Sequence, residues 1–451
     1  MKKILVLFLG IWMPGMAIVT QGQAVGGIVL KNARLIDGTG KAALQHTDLL
    51  IQADTIAAIG SNLRPAIKGA RVIDLSGKTV MPALISAHTH VGTLKGTTTN
   101  AANYTRENIM RQLKRYQDYG VSAIQVMGTD RPLIFNGLRD SSVAGQLPGA
   151  RLYSAGIGFG APGGAPPIEF GMDKVFRPVT TDPVREEVWA VQELKPTLVK
   201  IWVDDFNGKY VKMQPAIYQE IIKWAHNYDL RVAAHLFYLE DARQLVANGV
   251  DIIAHSIRDK DIDQDLLEAM KAKHVAYIPT LSLDEFAYIY SRKPEWVDDA
   301  FFKNSLEPGV YEMITSQAYQ DKLKASPNYQ KNILAFETAL RNLKKIFDAG
   351  ILVALGTDSG ATPIRAQGFS EHLELELMVQ AGLTPLEAIT VATRNAAILL
   401  KIDKKYGTLE KGKVADLIIL GGDPLADIRN TRKIEAVYKA GREVSKGPLE
   451  K

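Results

Sequence analysis

The 451-residue chain contains no cysteine. Disulfides, a thiolate metal site, a cysteine nucleophile and a lipid-anchored cysteine are therefore excluded, and a bound metal would need histidine, carboxylate or rarer ligands. The chain also lacks a strong excess of one charge, because 54 Lys and Arg residues stand against 49 Asp and Glu residues, for a formal net charge of +5. Since no basic tract stands out, we expect no nucleic-acid partner.

A hydrophobic run long enough for a full membrane span is absent, but a shorter one opens the chain. Lysines at positions 2 and 3 precede an apolar stretch that continues to about Val19 and is interrupted by glycine and proline. Small residues then suit a cut after Ala24. Residues 1–24 are therefore predicted to be a secretory signal peptide. We expect a secreted or bacterial periplasmic protein with no stable membrane anchor after cleavage.

The composition is that of a globular protein, with 46% hydrophobic and 23% charged residues. Its length suits two or three domains, or one large α/β barrel with an attachment. Short β segments separated by turn residues fill residues 25–80, and the same pattern returns at 401–451. Because chain ends often lie close together, we expect the two stretches to form one small β-sandwich domain.

Between these ends, residues 81–400 alternate apolar strand candidates with amphipathic helices. A strand at 230–235, a helix near 239–247 and a strand at 251–255 illustrate the repeat. This α/β pattern predicts parallel strands and a (β/α)8 TIM barrel. A doubly wound open sheet is the alternative, but it gives no reason for β segments at both ends of the chain.

Two stretches interrupt the alternation. Residues 156–180 are rich in glycine and proline, and residues 282–330 carry many aromatic side chains. Both follow predicted strands, which on a barrel places them at the functional face, where they would serve as lids or a substrate wall. Packing against the body or against a partner subunit is the alternative, and we expect a homo-oligomer.

Four histidines lie at or just after predicted strand ends. In an extended chain, His88 and His90 project to the same face and can hold one divalent cation. His235 and His255 are 20 residues apart, about one strand-plus-helix repeat, so adjacent barrel strands would present both at the same height. A hydrogen-bonded core histidine is the alternative for either one alone.

Two further residues stand out beside the histidines. Asp358 follows an apolar strand candidate. On the last strand of a barrel it would lie near His88 and His90, where it could serve as ligand and general base. A turn or helix cap is the simpler interpretation of this residue taken alone. Lys200 interrupts the apolar run 198–203, where a buried ammonium is costly. Desolvation lowers a lysine pKa, and the neutral amine can add carbon dioxide to give a carbamate able to bridge two metals.

Several longer motifs resemble the amidohydrolase superfamily over essentially the whole mature chain. They are NARLIDGTG at 32–40, MPALISAHTH at 81–90, GLTPLEAI at 382–389 and GTLEKGKVADL at 407–417. Within the superfamily, the chain is similar to the imidazolonepropionase-like and Xaa-Pro-dipeptidase-like branch. It departs from that pattern at Ala83 and Ser86, where glycine and aspartate are common.

The resemblance implies a set of metal ligands. His88 and His90 would bind one divalent metal, His235 and His255 a second, and carboxylated Lys200 would bridge them. Asp358 would bind the first metal and carry the proton. Zinc is the expected metal, with manganese, cobalt or iron as alternatives.

The activity implied is that of a metal-dependent hydrolase of carbon–nitrogen bonds, attacking a small amide or dipeptide-like substrate with a metal-bridging hydroxide. His235 or Tyr238 would help to hold the oxyanion, and Arg258 would suit a substrate carboxylate unless it forms a structural ion pair. His372, near a helix start, is a candidate substrate contact. An esterase, lactonase or phosphotriesterase, a mononuclear cyclic-amide hydrolase and a non-catalytic metal-containing binding protein are the alternatives.

Overall fold

The structure is a computed structural model that describes residues 27–64 and 69–450. The predicted signal peptide at 1–24 lies outside the described residues. Among the helices of these two ranges, none combines the length and the apolar character needed to cross a membrane.

Strands and helices alternate in the middle of the described chain. In chain order the strands are β1 (Ile28–Leu35), β2 (Leu44–Gln52), β3 (Thr55–Gly60), β4 (Arg71–Asp74), β5 (Thr79–Pro82), β6 (Leu84–Thr89), β7 (Leu94–Lys95), β8 (Thr98–Thr99), β9 (Val121–Val126), β10 (Arg151–Ser154), β11 (Val199–Trp202), β12 (Val232–His235), β13 (Ile252–Ala254), β14 (Ala276–Ile278), β15 (Leu417–Leu420), β16 (Ile434–Lys439) and β17 (Arg442–Ser445). The α-helices are α1 (Arg106–Asp118), α2 (Arg139–Val143), α3 (Val184–Glu193), α4 (Pro215–Asn227), α5 (Leu239–Ala247), α6 (Gln264–Ala272), α7 (Leu281–Phe286), α8 (Ala300–Lys303), α9 (Val310–Thr315), α10 (Gln317–Lys324), α11 (Tyr329–Asp348), α12 (Phe369–Gln380), α13 (Pro385–Thr390) and α14 (Ala396–Leu399).

Strands from both ends of the described chain share one eight-stranded sheet. Its order is β17-β16-β15-β5-β1-β2-β3, and β4 pairs in parallel with β1. The antiparallel pairing of β15 with β5 joins the two ends, with Ile418 opposite Met81. Leu30, Val80 and Leu417 belong to one apolar cluster, so residues far apart in sequence bury a common core.

The central strands run parallel in two groups, β10-β9-β6 and β11-β12-β13-β14. Each strand of these groups is buried along its whole length, as expected when helices cover both faces of a parallel sheet. The helices bury one face; α4 begins with Pro215 in its first turn and buries Ile217, Ile221 and Ala225. The mixed α/β architecture with parallel strands predicted from the alternation is confirmed.

Backbone hydrogen bonds link the two parallel groups on both sides. Phe159 pairs with Ile201 of β11 in a parallel bridge. On the other side, Ala354 N donates to Tyr277 O of β14 (3.0 Å) and Ala87 N of β6 donates to Leu355 O (2.7 Å). The segment predicted as a strand at 351–355 is present only as a bridge between Val353 and Tyr277.

The aromatic insert 282–330 forms short helices that pack into the body. Phe286, Tyr290 and Phe302 are fully buried, and Trp296 packs on Phe302 and Phe369 with 4.7 and 4.9 Å between ring centroids. The insert therefore contributes core, and only its first helical turn reaches the cavity described below. Of the two interpretations of this stretch, packing against the body describes most of it.

Candidate active site

The predicted metal ligands meet at the carboxyl ends of the parallel strands. His88 is in β6 and His90 follows it, His235 ends β12, and His255 follows β13. The pairing of His235 with Ala254 sets the latter two histidines side by side. The backbone is left-handed at two of the predicted ligands, with φ of 75° at His255 and 56° at Asp358. Non-glycine residues adopt this conformation at a cost, and such strain concentrates at functional sites.

The side chains form one tight, buried cluster. Oδ1 of Asp358 lies 3.2 Å from Nε2 of His88 and 2.9 Å from Nε2 of His90. The rings of His235 and His255 are 4.1 Å apart between centroids, and those of His88 and His255 are 4.5 Å apart. One ligand atom each from His88, His255 and Asp358 all lie within 4.8 Å of one another. This spacing suits a shared cation.

Three of the four histidines have one ring nitrogen within hydrogen-bond distance of a polar side chain, and this contact orients the ring. Nδ1 of His90 is 2.8 Å from Thr129 Oγ1, and Nδ1 of His255 is 2.9 Å from Thr280 Oγ1. Nε2 of His235 is 3.0 Å from Oδ2 of Asp204. Hydrogen bonds of this kind fix the ring and determine which nitrogen is left to bind a metal.

Burial lowers the pKa of His88, His235 and His255 and so keeps these three imidazoles neutral. It lowers the pKa of His88 to about 3, with the charge of Lys200 adding to the effect. Burial and the neighbouring His235 hold the pKa of His255 well below its ordinary value, and burial also lowers that of His235. Neutral imidazole is the form that binds divalent metals.

Lys200 lies in β11 with none of its surface exposed, and within the described ranges its Nζ has no hydrogen-bond partner. Burial lowers its pKa to about 7. Gly128 packs against it so closely that a Cβ there would lie 2.7 Å from the lysine Cβ. An unpaired buried amine is costly unless it is neutral or gains partners.

The donor set therefore fits divalent metal ions. Neutral imidazoles and a carboxylate share one point, and Nδ1 of His88 and Nζ of Lys200 are both buried without partners in the described part of the chain. Although burial raises it, the guanidinium of Arg365 and the nearby His90 hold the pKa of Asp358 well below its usual value, so the carboxylate is ionised. Imidazole and ionised carboxylate are ordinary zinc ligands.

A cavity of about 200 Å³ opens over the cluster. The predicted loop 156–180 supplies one wall, and the strand ends and α7 supply the others. Its apolar lining comprises Pro166, Pro167, Phe170, Met172, Trp202, Phe206, Phe237 and Leu283. A largely apolar cavity with a few converging polar groups is typical of a small-molecule site.

The predicted substrate contacts fare differently. Arg258 lines the cavity, but its Nε lies 2.9 Å from Oδ1 of Asp284. The structural ion pair considered as the alternative is therefore present, and Asp284 is the partner. Tyr238 does not line the cavity, and its hydroxyl donates to Asp205. Burial and this hydrogen bond raise the pKa of Tyr238.

The substrate contact expected at His372 is corrected by the structure. The side chain is buried away from the cavity, with Nδ1 3.0 Å from Thr431 Oγ1 and Nε2 2.9 Å from Tyr119 O. Both ring nitrogens are thus occupied by structural partners, and burial lowers its pKa to about 3.

Sequence reasoning missed five polar residues around the site. They are Thr129, Asp204, Thr280, Asp284 and Arg365. Asp204 and Thr129 each follow a strand by a few residues, which is a usable signal at a barrel face. Arg365 lies in an irregular segment and gives no such signal.

Comparison with known proteins identifies the family of the chain. The model of the amidohydrolase family matches residues 79–444, and the chain belongs to that family. The resemblance stated from the motifs is confirmed.

Individual relatives are more distant. Ochratoxinase of Aspergillus niger is 27% identical over 249 residues, which are 54% of this chain but only 44% of that protein. Imidazolonepropionase of Deinococcus deserti is 24% identical over 426 residues, 89% of this chain and 92% of that one. The solved structure of a Xaa-Pro dipeptidase with bound methionine, 23% identical, superimposes with a TM-score of 0.72 over 92% of this chain and 99% of that chain, and so shares the fold.

Proposed function

We propose that this amidohydrolase cleaves amide or dipeptide-like bonds of small substrates at a two-metal centre. The observation that carries the proposal is the convergence of four histidines, Asp358 and Lys200 beneath one apolar cavity, with Lys200 fully buried and its amine without a partner among the described residues. A non-catalytic binding site would have little need of the buried lysine or of a carboxylate placed against two histidines.

Each proposed ligand has a definite part. His88 and His90 would hold one metal with Asp358, and His235 and His255 the other. Lys200, whose lowered pKa of about 7 leaves about half of the amine neutral at pH 7, would react with carbon dioxide and hold both metals through the resulting carbamate. Bound divalent ions supply Lewis-acid polarisation of a substrate carbonyl and lower the pKa of water. Zinc is the metal we propose.

The chain's own groups then bind, orient and move protons. The ionised carboxylate of Asp358 accepts a proton at one oxygen and delivers it to the leaving nitrogen, which is general acid–base catalysis. Asp204 holds the ring of His235 through Nε2. The apolar walls formed by Pro166, Phe170 and Phe237 exclude water and contact the uncharged part of the substrate.

We propose the closed (β/α)8 barrel as the arrangement behind this site. The bridge between Phe159 and Ile201 and the bonds of segment 351–355 to β14 and β6 support closure on both sides. The shared eight-stranded sheet supports a second unit built from both chain ends, assigned from the sequence to 25–80 and 401–451, with the barrel at 81–400. Export through a cleaved leader at 1–24 remains a proposal based on the sequence.

The test is a hydrolysis assay with matched panels of amides, dipeptides, lactones and phosphotriesters, using wild type and Asp358→Asn. We expect cleavage of amides or dipeptides, and a loss of about 10²–10⁴-fold in kcat for the variant while it retains metal. Faster hydrolysis of lactones or phosphotriesters than of amides would instead favour the alternative function of a lactonase or phosphotriesterase. A wild-type protein that binds metal and is inert across all panels would contradict the proposal.

A further inference from the structure

The cavity holds two arginines whose surroundings differ. Arg258 is 7% exposed; Nε faces Asp284, and Nη1 donates to Ser256 O at 2.7 Å and Leu236 O at 3.2 Å. Its charge is matched by a carboxylate, and Nε and Nη1 are directed at the protein. A buried arginine with these partners is held in place and has little capacity for a substrate anion.

Arg365 is placed differently. Its side chain is 22% exposed and lines the cavity, and Nη1 contacts Oδ2 of Asp358. Its Nε is buried and has no hydrogen-bond partner among the residues of the two described ranges. A guanidinium carries five N–H donors in a planar fork, so a single carboxylate contact leaves donors for a second anion.

The contact with Asp358 also locates that anion. In the proposed function, Asp358 passes a proton to the leaving nitrogen as the carbon–nitrogen bond breaks and water supplies the oxygen of the new acid. A charge bound by Arg365 therefore lies near the leaving nitrogen. In an amino acid, the carboxylate is separated from the nitrogen by one carbon atom, which matches this arrangement.

We propose that Arg365 binds the free carboxylate of the leaving amino acid and thereby selects N-acyl amino acids and dipeptides over uncharged amides. The inference rests on the proposed function and specifies its substrate class. It assigns to Arg365 the role that the sequence suggested for Arg258. The apolar lining opposite, with Phe170 and Phe237, would contact the acyl group.

The test compares acids with their neutral counterparts. N-benzoylglycine, N-acetyl-L-phenylalanine and glycyl-L-phenylalanine are assayed beside their C-terminal carboxamides, with wild type, Arg365→Gln, Arg365→Lys and Arg258→Gln. Lys331→Gln is the matched control, because Lys331 is an exposed cation 5.4 Å from the Phe237 ring centroid that does not line the cavity. Metal content and calorimetric binding of each acid are measured on the same proteins.

We expect Arg365→Gln to raise KM for the acids by about 10- to 100-fold, and thus to reduce the acid-to-carboxamide ratio of kcat/KM, with metal content unchanged. Arg365→Lys should keep part of the ratio and Lys331→Gln all of it. Equal losses on acids and carboxamides would mean that Arg365 only positions Asp358, and would overturn the inference, as would a ratio that collapses in Arg258→Gln and not in Arg365→Gln.

Failure of the proposed function gives a separate signal. If wild type hydrolyses neither acids nor carboxamides, the calorimetry alone decides the role of Arg365. Tighter binding of acids than of carboxamides that is lost in Arg365→Gln would support it, and acid binding that survives the substitution would overturn it.

Discussion

At the scale of single residues, the histidine cluster depends on polar neighbours that are not themselves proposed ligands. Thr129, Thr280 and Asp204 each occupy one ring nitrogen of a histidine, which leaves the other nitrogen available for a metal. Asp204 is the charged member of this set. Its pKa is lowered despite burial, because His235 and Arg258 favour the carboxylate, so it stays ionised beside His235.

Asp204→Asn should weaken the metal site without unfolding the protein. The amide cannot hold His235 as the carboxylate does, and we expect metal affinity or kcat to fall by about 10- to 100-fold. Metal affinity is measured by titration against a chelator. Asp205→Asn is the matched control, because Asp205 accepts from Tyr238 at 2.9 Å and does not line the cavity. Equal behaviour of the two variants would contradict an orienting role for Asp204.

Some residues of the site could be predicted from the sequence and others could not. His88, His90, His235 and His255 sit at strand ends, where local apolar runs fix both the strand and the residue that follows it. Arg365 acquires its role from contact with Asp358 across an irregular segment, and no local pattern encodes that contact. His372 belongs to α12, which is buried on nearly all sides, so periodicity could not tell which face it occupies.

At the scale of elements, the aromatic insert stabilises the body more than it closes the cavity. Phe302 is fully buried and its ring lies 4.7 Å from those of Trp296 and Phe369, which joins α8 to α12. The sequence showed the concentration of aromatics but not their destination, because short helices without a clear apolar stripe can pack in several ways.

Phe302→Ala should lower the free energy of unfolding by about 3–5 kcal/mol through the cavity it leaves. Trp189→Ala, at a position 51% exposed on α3, should change it by about 0.5 kcal/mol or less. Both are measured by urea unfolding, with KM determined on the folded variants. A large change in KM with little loss of stability would instead indicate that the insert works as a lid.

At the scale of the whole molecule, a buried ion pair ties the shared sheet to the parallel strands. Arg151 of β10 pairs with Asp416, which precedes β15, and Nη2 lies 3.4 Å from Oδ1 of that carboxylate. Arg151 also lies over the ring of Tyr406, 4.4 Å from its centroid. The alternation of elements made the parallel strands predictable, and the two β-rich ends were visible, but this long-range contact required the folded chain.

The architecture places the ends of the parallel strands, and with them the six proposed ligands, beneath one cavity. The proposed two-metal centre depends most on Lys200. This lysine is fully buried without partners among the described residues, and a carbamate shared between two metals would explain its position. The most direct test is the metal content per chain, by mass spectrometry, of purified protein produced with zinc, manganese and bicarbonate.

We expect about two metal equivalents per chain in wild type, and a clear loss of metal in Lys200→Ala. A content of about one equivalent that is indifferent to the substitution would contradict the bridged pair.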